Sequence, residues 1–304
     1  MASSPQVVAE LRGARKSYGK VQALKGVDLA IRSGETVAVL GPNGAGKTTA
    51  ISLLLGLRKP TGGTATLFGR PPSDLQARSR CGVMLQESGV PDLLTVSDLV
   101  RLFSSYYPRQ LPPGEAVRRA GLTEVAGKRF GNLSGGQQQR VYFALAICGD
   151  PEVLFLDEPT VGLDVEGRRA FLADLKEWAG QGRTIVLTTH YLEEADELAH
   201  RIVVINHGEV VADASPAEFK SRVPGKKIEM RFKNGVPVDL FRTLPVSGLE
   251  VTGDLARMLS PEPAAVVREV MRARGDDVVD LDVSGADLEE AFVHLTHDQG
   301  VTRG

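Results

Sequence analysis

Cysteine is scarce in this chain: only Cys81 and Cys148 are present. So few thiols argue against a disulfide framework or a cysteine-rich metal site, and they fit a reducing compartment. Long hydrophobic runs are also lacking. Apolar stretches such as Val141 to Cys148 fall far short of the roughly 20 residues that cross a bilayer. The stretch from Met1 to Gly13 has no basic start followed by an apolar core, so no secretory signal is expected. A charge excess is missing as well. The formal net charge of −2 gives no bulk attraction to nucleic acid or to an anionic membrane surface. No internal repeat or low-complexity run is present. What remains is ordinary for a globular protein: 304 residues, 42% hydrophobic and 24% charged. That length suggests about two domains with a sizeable core.

Strand-like runs broken by turns fill the first 70 residues, most clearly Val7 to Leu11, Val27 to Ile31 and the buried-type run Thr36 to Leu40. A glycine-rich turn follows, then an apolar helix from about Lys47 to Leu57. From about Ser88 to Cys148 the pattern is mostly helical, punctuated by Pro108, Pro112 and Pro113. Val153 to Leu156 and Thr184 to Thr188 then read as strands covered on both faces. Arg201 to Asn206 and Glu209 to Ala212 read as a hairpin joined at Asn206-His207-Gly208. Beyond a composition shift near Ser215 to Gly225, the order is strand, helix, strand, strand, helix, strand, which suggests a ferredoxin-like unit. A last helix is expected from Ala286 to Thr296. Its apolar positions are Leu288, Ala291, Phe292 and Leu295, and Ser284 to Asp287 serves as its capping box.

Three motifs carry chemistry. Gly41-Pro42-Asn43-Gly44-Ala45-Gly46-Lys47-Thr48-Thr49 fits the phosphate-loop pattern G-x-x-x-x-G-K-[ST] between a strand and a helix. Its glycines bare backbone N–H groups toward phosphate oxygens, and the helix adds its positive end. Lys47 supplies a mobile cation for the phosphates, and the Thr48 hydroxyl can ligate Mg²⁺. The apolar strand at Val153 ends in Asp157 and Glu158. Asp157 can reach the Mg²⁺ shell, and Glu158 can orient or deprotonate an attacking water. Leu133-Ser134-Gly135-Gly136-Gln137 opens an apolar helix. With Ser134 as N-cap it forms a second anion-binding helix end, which suggests a nucleotide held between two copies.

Taken together, GPNGAGKTT, LSGGQ and VLFLDEP resemble the nucleotide-binding subunit of ABC transporters over about residues 7 to 215, in that family's order. The resemblance implies further roles. Tyr18, in KSYG, matches the aromatic that stacks on adenine, with Val21 beside the base. Gln86, in VMLQE, matches the glutamine that touches Mg²⁺ and water, and so joins Thr48 and Asp157 as a metal residue. Asp164, in GLD, matches the residue that signals across the dimer. His190, in LTTH, matches the switch histidine at the γ-phosphate. The catalytic set is then Glu158, His190, Lys47 and Gln86. Two copies would bind two ATP molecules head to tail. Each would lie between one copy's phosphate loop and Ser134, Gly135, Gly136 and Gln137 of the other.

The end of the chain, DLEEAFVHLT from Asp287 to Thr296, resembles ATPases that drive ABC-2 type exporters, including the daunorubicin- and doxorubicin-resistance group. The compact segment between Gln86 and Leu133 is similar to theirs. The implied activity is ATP hydrolysis that powers export through a separate membrane permease. The implied location is cytoplasmic, peripheral on the inner face of the cell membrane, with no nucleic-acid partner. The alternatives are a soluble ABC ATPase acting on ribosomes or DNA, and an importer ATPase. Against the first, the chain holds one set of motifs and no long coiled-coil insertion. Against the second, sugar-importer ATPases carry a larger, more strand-rich C-terminal domain. The expected fold class is α/β, a P-loop NTPase of ABC type over residues 1–220 with an antiparallel β subdomain and a helical subdomain at about 88–148. A small α+β, ferredoxin-like domain is expected over 221–304.

Overall fold

The computed structural model describes residues 6–85, 89–221, 225–285 and 287–292. The chain divides into two units, Met1–Ser215 and Pro216–Gly304. The first opens with strands β1 (Val7–Tyr18), β2 (Val21–Arg32) and β3 (Thr36–Leu40), then helix α1 (Lys47–Leu54) and strand β4 (Gly62–Leu67). Helix α2 (Leu75–Arg78) and strand β5 (Cys81–Met84) precede the helical region of α3 (Val96–Ser104), α4 (Pro113–Arg119) and α5 (Gly135–Ile147). Next come β6 (Val153–Asp157), α6 (Val165–Gly180), β7 (Thr184–Thr188), α7 (Leu192–Leu198), β8 (Arg201–Asn206) and β9 (Glu209–Ala214).

The central sheet has the order β5-β6-β7-β3-β8-β9, parallel except for the β8–β9 hairpin. Every residue of β3, β6 and β7 is buried. This explains their apolar interiors, with Thr36, Asp157, Thr184 and Thr188 only at the strand ends, because both faces are covered and period-two alternation is lost. A smaller antiparallel sheet, β2-β1-β4, shares one core with α1 and the central sheet, through Leu11, Ile31, Ile51 and Phe155 among others. Burying each such side chain contributes about 1.5–3 kcal/mol. Phe143 of α5 meets Phe171 of α6 edge-on at 5.1 Å, which fixes the helical region to the sheet layer. Both cysteines are free and buried, and burial pushes the Cys81 thiol up to about 12.

Four sequence expectations need correction. Strands β4 and β5 are absent from the sequence reading, because each is short and glycine-bearing. Helix α1 ends at Leu54 rather than Leu57, since Leu55 caps it and Gly56 turns left-handed. The region from 89 to 148 is helical only in pieces, interrupted by 3₁₀ turns at Thr123–Val125 and Phe130–Asn132. The capping box of the last helix is Asp287 with Glu290, not Ser284 with Asp287. The Asp287 N–H donates to Glu290 Oε2 at 2.6 Å, and the Glu290 N–H donates to Asp287 Oδ1 at 3.0 Å. Ser284 lies instead in the preceding strand. Residues 288–292 of that helix are described, while Leu295 and Thr296 lie outside the described residues.

The second unit holds α8 (Pro216–Ser221), β10 (Lys226–Phe232), α9 (Val238–Phe241), β11 (Ser247–Thr252), β12 (Leu255–Ser260), α10 (Pro263–Arg274) and β13 (Val278–Gly285). Its sheet order, β11-β12-β10-β13, is antiparallel throughout. That is the split β-α-β arrangement, in which β12 inserts between the two strands joined through α9. Ile228, Met230, Phe232, Phe241, Val266 and Val270 form its core.

Candidate nucleotide site

The parallel register decides where the chemistry gathers. Asp157 pairs with Thr188, and Thr188 pairs with Val39, so the C-terminal ends of β6, β7 and β3 lie side by side. In an open α/β sheet that edge is the ligand crevice. The loop leaving β3 is Gly41 to Gly46, and α1 begins at Lys47. Its glycines are required by contact. A Cβ at Gly41 would sit 2.1 Å from the Ile205 carbonyl oxygen, and one at Gly46 would sit 2.7 Å from the Ala23 carbonyl oxygen. Both distances are far inside van der Waals contact, so the loop can close only without side chains there.

This loop walls a cavity of about 760 Å³, lined also by Tyr18, Ala23, Glu158 and His190. The volume suits one nucleotide-sized ligand. Lys47 is 6% exposed, and its ammonium donates to the carbonyls of Gly41 at 2.8 Å and Pro42 at 3.2 Å. Burial lowers the pKa of Lys47, while the carboxylates of Glu158 and Asp157 oppose that shift. The Thr48 hydroxyl donates to Asp157 at 3.0 Å, joining residues 109 apart in sequence. Asp157 is buried and also accepts from the Thr188 hydroxyl.

Glu158 takes a left-handed backbone, φ 51°. Its N–H is held by the Thr188 carbonyl at 3.0 Å and the Thr188 hydroxyl at 3.1 Å. A non-glycine residue in this region costs about 1–3 kcal/mol and persists only when its surroundings impose it. The kink separates the two acids. Asp157 stays in the sheet against Thr48, and Glu158 turns toward the cavity. His190 Nδ1 lies 3.6 Å from Glu158 Oε2, and the imidazole is 44% exposed.

The remaining site residues named from the sequence lie elsewhere. Ser134 caps α5, accepting from the Gln137 N–H at 3.3 Å while Gln137 Oε1 accepts from the Ser134 N–H at 3.1 Å. Asp164 caps α6, accepting from the Gly167 N–H at 2.7 Å. Neither Ser134, Gly135, Gly136, Gln137 nor Asp164 lines the cavity of its own chain. Gln86 lies outside the described residues. Val21 is 68% exposed and does not line the cavity; Ala23 does. Val21 pairs with Tyr18 across the hairpin, and Ala23 falls at the register shift between the Ser17–Gln22 and Lys16–Leu24 pairs. Sequence reasoning missed Thr188, whose hydroxyl serves both acids. No local signal marked it, because a threonine is an ordinary β-branched strand residue and another opens the same strand. Gln139 was also missed; it donates to the Pro159 carbonyl at 2.8 Å and ties α5 to the segment after Glu158.

The family model for ABC transporters matches residues 24–161. The daunorubicin resistance ATP-binding protein DrrA3 of Streptomyces coeruleorubidus is 34% identical over 302 residues, covering 94% of this chain and 95% of that protein. This chain belongs to the ABC transporter ATP-binding subunits. As an ABC cassette it is an ATPase, of the P-loop fold that its sheets and helices display. Nod factor export ATP-binding protein I of Cupriavidus pinatubonensis (strain JMP 134 / LMG 1197) is also 34% identical, over 95% of this ABC subunit and 90% of its own length. A solved dimeric structure of the ATP-binding cassette MJ0796, in a post-hydrolysis state bound to ADP and Pi, matches with TM-score 0.62 and 29% identity. It covers 68% of this chain and 98% of that one. Among the described residues, no helix of this ABC subunit is long and apolar enough to cross a membrane.

Proposed function

We propose that two copies of this ATPase close on two ATP molecules and drive export through a separate ABC-2 type membrane permease, from the inner face of the cell membrane. The Thr48–Asp157 contact beside the phosphate-loop cavity carries the chemical reading. Both groups are hard oxygen donors of the kind that suit Mg²⁺. Among the described residues no group of three or more His, Cys, Asp or Glu could hold a metal ion. That fits an ion bound through one carboxylate, a hydroxyl and substrate phosphates, and not in a cage made wholly of protein. Thr48, Asp157 and Gln86 would hold the ion, which when bound neutralises charge on the phosphates.

The other roles follow from chemistry. The amides of Gly41 to Thr49 and the Lys47 ammonium bind phosphate oxygens, and Tyr18 offers its exposed ring to the base. Glu158 orients a water and accepts its proton. His190 meets the γ-phosphate end. Gly135 and Gly136 head α5 and present its positive end, with Ser134 and Gln137, to the nucleotide of the second copy. Asp164 is exposed and follows Leu163, whose side chain a Cβ at Gly136 would meet at 3.3 Å, which makes it a candidate contact across the dimer. Export is supported by relatives named for daunorubicin resistance and Nod factor export, matched over nearly the whole chain.

Glu158→Gln tests the chemistry. It keeps shape and removes basicity, so turnover should fall about a hundredfold or more while ATP binding persists. The ATP-bound variant should accumulate as a dimer in size-exclusion chromatography. Near-normal hydrolysis overturns the assignment. Purification from native membranes tests the partner: an integral-membrane protein should co-purify, and recovery of the ATPase alone overturns the export reading.

A further inference from the structure

A set of polar and aromatic side chains runs from the cavity rim at His190 into the core of the first unit. The His190 imidazole packs on the Tyr191 ring, with centroids 4.1 Å apart and planes inclined by 38°. The Arg168 guanidinium lies over the same Tyr191 ring at 3.8 Å. Arg168 Nε then faces Glu194 Oε1 at 4.0 Å. Glu194 is 1% exposed and accepts from the buried Thr160 hydroxyl. Three segments of the site meet here. Thr160 follows Glu158 by two residues, Arg168 stands in the first turns of the helix that Asp164 caps, and Tyr191 and Glu194 flank the start of α7.

Burying a carboxylate is costly unless it is paired and hydrogen-bonded. Glu194 accepts one hydroxyl, yet its Oε2 has no hydrogen-bond partner among the described residues, and neither does Arg168 Nε. Arg168 Nε stops just outside hydrogen-bond range of Glu194 Oε1, so a shift of about 1 Å would satisfy the orphaned donor and bring its charge against the buried carboxylate. The imidazole, by contrast, sits 44% exposed on the rim, where a free side chain would sample several rotamers. Its ring contact is Tyr191, and Tyr191 is pinned from another side by Arg168.

We propose that Arg168, Tyr191 and Glu194 form a positioning bracket that holds the His190 imidazole toward the phosphate end of the cavity. Closing the Arg168–Glu194 gap tightens it. Because Arg168 lies one turn beyond Asp164, displacement of the Asp164 segment is passed through the guanidinium to Tyr191 and so to His190. The bracket rests on His190 acting at the γ-phosphate, as proposed above.

Steady-state hydrolysis by the full-length protein tests this. Tyr191→Ala should lower kcat about tenfold with KM little changed, since misplacing a catalytic group weakens the transition state more than binding. Tyr191→Phe keeps the ring and should restore most of that loss. Arg168→Lys keeps the charge, loses the planar stack and should behave like Tyr191→Ala. If Tyr191→Ala fails to fold by circular dichroism, Arg168→Lys takes its place. The deciding measurement is a double-mutant cycle: on a His190→Ala background, Tyr191→Ala or Arg168→Lys should add no further loss. Losses that multiply on that background overturn the bracket, as does a kcat unchanged in Tyr191→Ala. A His190→Ala variant with full kcat overturns the assignment of His190 itself, and the bracket with it.

Discussion

The central sheet of the first unit and the sheet of the second unit handle polar groups in opposite ways. In the first unit, β3, β6 and β7 are buried along their whole length, and their one charged residue, Asp157, stands at the end of β6. Chemistry is forced to the strand ends, where Asp157, Glu158, Thr188 and His190 meet the phosphate loop. In the second unit, β11 and β13 are exposed over most of their residues. Charges on β10, on β12 and in the turn before β12 form partly solvated pairs, such as Arg231 with Asp254 at 2.7 Å and Arg257 with Glu229 at 3.1 Å. Each such pair contributes about 0–1 kcal/mol. A sheet covered on both faces concentrates polar groups into a site. A sheet covered on one face disperses them into a surface.

That contrast can be broken by substitution. Phe232 is 1% exposed and packs edge-on to Phe241 at 6.1 Å in the core of the second unit. Phe232→Ala should destabilise that unit by about 3–5 kcal/mol. ATP affinity should stay the same, because the cavity is lined wholly by residues of the first unit. Hydrogen exchange read alongside ATP titration checks both halves; a large loss of affinity would show that the units are not separable. Lys47→Ala removes the buried cation of the phosphate loop. Charge-assisted hydrogen bonds are worth about 1.5–3 kcal/mol, so ATP affinity should fall roughly tenfold to a hundredfold. Titration with a fluorescent ATP analogue would detect this, and unchanged affinity would move the site elsewhere. A glycine pair gives the finest comparison. A Cβ at Gly41 meets the Ile205 carbonyl at 2.1 Å, whereas one at Gly253, φ 62°, meets nothing within 4 Å. Gly253→Ala should cost only the left-handed penalty of about 1–2 kcal/mol, and Gly41→Ala should cost more. Equal shifts in thermal unfolding would mean that the loop relaxes around the new methyl.

Much of the site was legible because its residues are contiguous. The loop from Gly41 to Thr49, the acids Asp157 and Glu158, and the Ser134 cap each declare themselves within a few positions. Thr188 was not legible, since a threonine closing a strand looks like any β-branched residue until the register sets it against Asp157. Ala23, which lines the cavity, falls at a register shift in the hairpin of β1 and β2 that no local pattern announces. Strands β4 and β5 were missed because four to six residues with glycines carry too little periodicity to separate them from loop.

The sequence by itself determined the family, the phosphate loop, the carboxylate pair and the six-element order of the second unit. Each depends on local spacing, and local spacing is what backbone geometry and periodicity read directly. The tertiary structure alone decided that Thr48 meets Asp157 across 109 residues, and that Glu158 turns left-handed while its neighbour stays in the sheet. It alone brought Thr160, Arg168, Tyr191 and Glu194 together around His190. These depend on parallel strand register and on the burial of groups far apart in the chain. Such long-range contacts form only when the core closes, so no window of sequence contains them.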